Sequence, residues 1–151
     1  MTTQADKIIK TVSLSAPRSR VWRAITDSSE FGAWFLAEFK TPFRQGERID
    51  GIMTHPECNG VKFDAFVEAI IPETLFSIRW HAYEVPEGVA FEDAPTTLVE
   101  FELADEGEGT HLTITESGFD SLPPEHRDEC FKGNDTGWTE QIKNITKYVD
   151  G

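Results

Sequence analysis

Cysteine is scarce in this chain: Cys58 and Cys130 are the only two, too few for a disulfide framework and most simply read as free thiols in a reducing compartment. The sequon Asn144-Ile145-Thr146 then has no use, because only a secreted chain is glycosylated there. No window approaches the roughly 20 apolar residues of a membrane span, and the start MTTQADKIIK carries no apolar leader. A cytoplasmic protein without membrane association is expected. Positive charge is missing over a long stretch: from Trp80 to His126 there are twelve Asp and Glu and no Lys or Arg. Across the chain 27 acidic residues face 14 basic ones, a net charge of -13, which makes nucleic acid and anionic membranes poor partners. There is no G-x-S-x-G elbow and no glycine-rich phosphate loop between a strand and a helix, so neither nucleophilic catalysis nor a nucleotide cofactor is indicated. The expected cofactor set is none.

What the chain does contain is aromatic mass. Its 151 residues are the size of one domain, read as 1–151, and they include 11 Phe and 4 Trp, large flat side chains suited to deep cores and pockets. Ile8 to Leu14 alternate as a first strand, and Ser15 and Pro17 read as the start of a helix with Val21, Trp22 and Ile25 inward. Asp27 or Ser28 restarts the chain into a second short helix carrying Phe31, Trp34 and Phe35, where Gly32 permits close approach. The period then falls to two. Ile49, Gly51, Met53 and His55 are assigned to one strand face, and Val61, Phe63, Ala65, Val67 and Ala69 to the next. Phe76, Ile78 and Trp80, then Val99, Phe101 and Leu103, then Leu112, Ile114 and Glu116 continue the pattern, with a turn at Asp105 to Gly109. Finally Trp138, Ile142, Ile145 and Val149, at steps of four, three and four, line one side of a long helix. A sheet with one apolar face needs a cover, and this helix is the only element large enough to provide it.

The segments SAPRSRVWRAITD, FGAWF, IPETLFSIRW, VEFELADEGEGTHLTITESGF and GNDTGWTEQIKNITKYV, in this order and spacing, resemble the activator-of-Hsp90-ATPase-homologue-like branch of the START and Bet v 1 superfamily. The resemblance implies an α+β helix-grip fold: a curved antiparallel sheet with two short helices and a long C-terminal helix, enclosing a cavity. It implies no particular reaction. Relatives include binders of apolar ligands, a domain that docks on the chaperone Hsp90, and cyclases. The separate N-terminal domain of the eukaryotic co-chaperone has no counterpart in the single domain expected here. Three readings follow: a protein holding an apolar, lipid-like or aromatic ligand between sheet and helix; a chaperone-associated interaction module; and, behind these, a cyclase- or hydrolase-type enzyme using the same pocket. The sequence does not require an enzyme.

Trp34, Phe63, Trp80, Phe101 and Trp138 come from five elements and are all expected inward, where they would supply apolar surface. Solid packing among themselves is the plain alternative. His55, Glu116 and Asn134 are polar residues on faces assigned to the interior, where they would orient a ligand. A buried Glu116 must sit at a strand end in water, find partners, or hold its proton. Asn134 is flanked by Gly133 and Gly137, which would let the helix lie close to the sheet or leave space beneath it; its amide either faces that space or bonds backbone at a kink. His55-x-x-Cys58 and His126-x-x-x-Cys130 have spacings open to zinc, but nothing in the sequence brings the two pairs together, and no metal is expected. The acidic loop Glu84 to Pro95, tipped by Phe91, would be the anchor of the interaction-module reading.

Overall fold

A computed structural model describes residues 7–83 and 85–150; the residues before Lys7, read above for a leader, and Glu84 at the start of the acidic loop lie outside them. The elements are β1 (Lys7–Leu14), α1 (Arg18–Thr26), α2 (Ser28–Phe35), β2 (Ala37–Phe39), β3 (Arg48–Met53), β4 (Lys62–Ile71), β5 (Leu75–Trp80), β6 (Thr97–Glu106), β7 (Gly109–Ser117) and α3 (Pro124–Asp150). One antiparallel sheet of seven strands runs in the order β1-β7-β6-β5-β4-β3-β2, so β1 closes beside the last strand. Its inner face carries Leu112 and Ile114 of β7, Val99 and Phe101 of β6, Phe76 and Ile78 of β5 and Phe63, Ala65 and Val67 of β4, all buried. The long helix lies across that face, giving the helix-grip α+β arrangement.

Local chemistry explains the junctions. Asp27 caps α2 by accepting the Glu30 amide at 3.0 Å. At the other end Leu36 turns left-handed (φ 69°), and the chain reverses so tightly into β2 that a Cβ at position 32 would stand 2.2 Å from the Ala37 carbonyl oxygen. Only glycine fits there. The strand β2 itself escapes the sequence reading because three residues carry no period. Ser15 does not cap α1: Pro17 holds the cap position, and the Ser15 and Ala16 amides instead donate to the Asp150 carboxylate at 2.9 and 3.0 Å, tying the end of α3 to the start of α1. In β4 the register shifts between Val67 and Ala69, so Ile70 rather than Ala69 packs on the core, while Val61 precedes the strand and is exposed.

The helix α3 buries Trp138 and Ile145, with Cys130, Phe131, Ile142, Tyr148 and Val149 partly buried beside them. Its glycines do something other than expected. Gly133 and Gly137 are exposed, and a Cβ built on either meets nothing within 4 Å, so neither provides close approach to the sheet. Both positions forgo helix propensity without a packing return. Gly133→Ala and Gly137→Ala are therefore expected to stabilise the fold by about 0.5 to 1 kcal/mol each, additively, as read from urea midpoints at unchanged slope. A loss of stability in either variant would show that the glycine conformation itself is used.

The three helices are clamped by one carboxylate. Glu30 accepts from Arg20 (2.6 Å), Arg23 (2.7 Å) and the Tyr148 hydroxyl (3.1 Å), joining α1, α2 and α3. Burial pushes its pKa up, but the hydrogen bonds from Arg20, Arg23 and Tyr148 together outweigh this and hold it below the ordinary 4.5. A carboxyl lowered in the folded state contributes stability above its unfolded pKa and loses it as pH falls through the folded one. Glu30→Gln should thus be less stable than the parent near neutrality, and the gap in urea midpoint should close on acidification below the ordinary carboxylate range. A gap independent of pH would contradict this.

Candidate functional site

The inner face of β7 ends in a carboxylate. Glu116 follows Leu112 and Ile114 in strict alternation and is 0% exposed, two residues before the chain leaves the sheet at Gly118. It is not solvated at a strand end; it finds partners. Oε2 accepts from the Trp80 indole N–H at 2.8 Å and the Thr97 hydroxyl at 2.5 Å, and Oε1 accepts from the Trp138 indole N–H at 2.8 Å. The Asn134 amide nitrogen lies 3.0 Å from both oxygens. Sheet positioning is regular: Glu116 stands beside Val99 in the register of β6 and β7, and Trp80 pairs with Thr97 across β5 and β6. Asn134 and Trp138, one helical turn apart, come down from α3. Four donors from three elements besides β7 therefore converge on one acceptor group.

Every one of these donors is neutral. Among the described residues no Lys, Arg or His makes an ion pair with Glu116; Lys10, on the neighbouring strand, is engaged with Asp135 at 2.9 Å. The arrangement suits an acceptor-only group, which is what an ionised carboxylate is. The amide nitrogen of half-buried Asn134 donates to Glu116 rather than to backbone at a kink. Thr97 was missed. It lies two residues before Val99 on the same face, so extending the alternation of β6 backwards would have found it.

Around the carboxylate the aromatic rings close in. Trp80 stacks on Trp138 with centroids 5.7 Å apart and planes at 27°, and Phe101 meets Trp138 edge-on at 5.8 Å. Phe35 touches Phe63, Trp80 and Trp138 at 5.5, 6.1 and 6.2 Å. Trp34 belongs to the same packed set through Phe31 and Phe35, but its indole N–H is committed to the Ala24 carbonyl at 2.8 Å. Trp80 is only partly buried and is the outermost member of the cluster.

His55 is not on the strand face assigned to it. Strand β3 ends at Met53, whose amide already bonds the Val61 carbonyl, and the chain turns through Pro56; the His55 ring accepts the Glu57 amide at 3.0 Å. That hydrogen bond is local and does not reach Glu116. His126 stacks on Tyr83 at 4.9 Å, and among the described residues no group of three or more His, Cys, Asp or Glu could hold a metal ion. Burial pushes the Cys130 thiol above its ordinary pKa, and the Glu129 and Glu116 charges push it the same way, so it is no activated nucleophile. Phe91 does not project as an anchor: it lies under the Arg48 guanidinium, 4.0 Å from its ring centroid, and against His81 at 4.5 Å.

Two surface clefts, of about 520 and 430 Å³, lie against α2 and β2 and on the outer sheet face between Arg48, Arg79 and Phe91. Neither shares a lining residue with the Glu116 cluster. Among the described residues no helix is long and apolar enough to cross a membrane.

A curved antiparallel sheet folded around one long C-terminal helix defines the helix-grip class. Residues 15–150 match the model of the activator of Hsp90 ATPase homolog 1-like protein, and the chain belongs to that family. It is similar in structure to protein MLL2253 from Mesorhizobium loti, with 22% identity over 95% of this chain and 96% of that one and a TM-score of 0.75. CalU16 from Micromonospora echinospora is similar at 22% identity, covering 95% of this chain and 75% of that one, TM-score 0.65. DynU16, from the dynemicin biosynthetic locus, is similar at 23% identity over 97% of this chain and 48% of that one, TM-score 0.71. No curated protein gives a significant match.

Proposed function

We propose that this protein binds a small apolar or aromatic molecule between the sheet and α3, with Trp80, Phe101 and Trp138 supplying surface and Glu116 the polar contact. The observation that carries the reading is the Glu116 cluster itself. A fully buried carboxylate with no countercharge is a costly thing to place in a core, and replacing such groups by apolar ones often leaves stability unchanged or improved. Its position beside the partly exposed Trp80, at the last residue of β5, gives it a use that packing alone does not. Family membership supports a ligand-binding fold, and the origin of DynU16 in a biosynthetic locus supports a small-molecule setting. Entry requires Trp80 to part from Trp138.

The test is a titration with flavonoids, sterol-like molecules, fatty acids and aromatic amines, followed by tryptophan emission and thermal midpoint. Binding to the folded state alone raises the midpoint, by about 2.7 kcal/mol in stability at a hundredfold excess over Kd. The emission should shift as Trp80 leaves Trp138. No change in either signal across the panel would remove the reading.

A further inference from the structure

We propose that the ligand carries a hydrogen-bond donor on its flat apolar body, best a protonated amine, which takes the place of the Trp80 N–H on Glu116, and that carboxylate-bearing molecules are refused. This rests on the ligand-binding reading just proposed and specifies its ligand class.

The cluster is made of acceptor oxygens, and its donors are protein groups. Any ligand group that reaches Glu116 must therefore bring a donor, since a second acceptor there would face a buried carboxylate. A carboxylate ligand would add like charge with no Lys, Arg or His among the described residues paired with Glu116 to offset it, and Lys10, on the neighbouring strand, is already paired with Asp135. The donors differ in how replaceable they are. Trp138 is 3% exposed and anchors α3, Asn134 bonds both oxygens from the helix, and Thr97 is buried in β6. Trp80, half-buried like Asn134, stands on the last residue of β5 and makes a single bond, to Oε2. Moving its ring off Trp138 opens the aromatic stack and frees one acceptor position together. An ammonium placed there restores the lost bond and adds the countercharge that the cluster lacks, so it should outrank a neutral hydroxyl.

Four probes with one skeleton test this at neutral pH by calorimetry and tryptophan emission: 1-naphthylmethylamine, 2-naphthol, naphthalene and 2-naphthoate. The amine is expected to bind about tenfold or more tighter than naphthalene, the naphthol between them, and the naphthoate weakest. In Glu116→Gln, with folding checked by circular dichroism, the amine's advantage should vanish. Trp80→Phe keeps a ring but removes the competing N–H along with some apolar surface, so the amine's advantage over naphthalene should be kept or enlarged there even if Glu116→Gln does not fold. Naphthoate binding as tightly as the amine, an amine preference that persists in Glu116→Gln, or its loss in Trp80→Phe each overturns the proposal. Equal binding of all four probes would overturn it while leaving the ligand-binding reading in place, whereas no binding by any probe to the folded parent would remove both.

Discussion

Glu116→Ala is expected to lose about 4 kcal/mol or more of folding free energy, enough to unfold a domain of ordinary stability, although it deletes a charged residue from an apolar interior. The asymmetry lies in what stays behind. Removing the acceptor leaves the indole N–H groups of Trp80 and Trp138, the Asn134 amide and the Thr97 hydroxyl facing one another in a space that is buried at Trp138 and Thr97 and half-buried at Trp80 and Asn134. Each stranded donor costs roughly 1 kcal/mol or more, with Thr97 the least because its hydroxyl can rotate to another acceptor. Glu116→Gln should fall between parent and Ala, since it keeps the shape and one acceptor oxygen but turns an N–H toward other donors. Glu116→Leu with Asn134→Leu should be less damaged than Glu116→Leu alone, because the second change removes one of the stranded groups; with Asn134→Leu alone and the parent, measured by urea denaturation, these complete a double-mutant cycle. An Ala variant within about 1 kcal/mol of the parent would mean that the donors find other acceptors or water and that the cluster does not hold the helix.

Part of this site was legible in the sequence. The inward position of Glu116 follows from parity alone, because one-sided burial imposes period two along β7 and Leu112, Ile114 and Glu116 obey it. Its partners were not legible as partners, since they sit on three further elements and only the fold brings them together. His55 was misassigned by the same parity carried past its range: alternation means nothing once β3 has ended at Met53. The bulge in β4 was invisible because a one-residue slip needs no Gly or Pro and leaves a plausible apolar residue, Ala69, in the wrong place.

The glycines of α3 were readable and were misread. At roughly 100° per residue, Gly137 lies about 100° and Gly133 about 140° around the helix from Trp138, while Asn134 lies only about 40° away. Phase therefore separates them: the glycines turn outward and the amide inward, as the structure has it. Grouping the three as one small-residue feature ignored that rotation. The overall fold was the most legible level, because a one-sided sheet and a one-sided helix have few ways to cover each other.

That mutual cover depends most on one side chain. Trp138→Ala is expected to cost about 3 to 5 kcal/mol, the range for large-to-small aromatic truncation in a core. The ring is 3% exposed and touches Phe35, Trp80 and Phe101, so its removal opens a hole between α3 and three separate elements. It also withdraws a donor from Glu116 Oε1, leaving that oxygen only the longer bond from Asn134. Trp138→Phe separates the two losses: it retains an aromatic ring and deletes the N–H, so its deficit should be about 1.5 to 3 kcal/mol, the contribution of a hydrogen bond to a charged acceptor. Urea denaturation followed by far-UV circular dichroism reads both variants without relying on the tryptophan that has been removed. If Trp138→Phe matches the parent, the indole N–H contributes nothing, and α3 is held to the sheet by ring packing with Glu116 a bystander. If instead Phe is nearly as damaged as Ala, the hydrogen bond outweighs the ring, and the buried carboxylate is the point on which the helix is fastened.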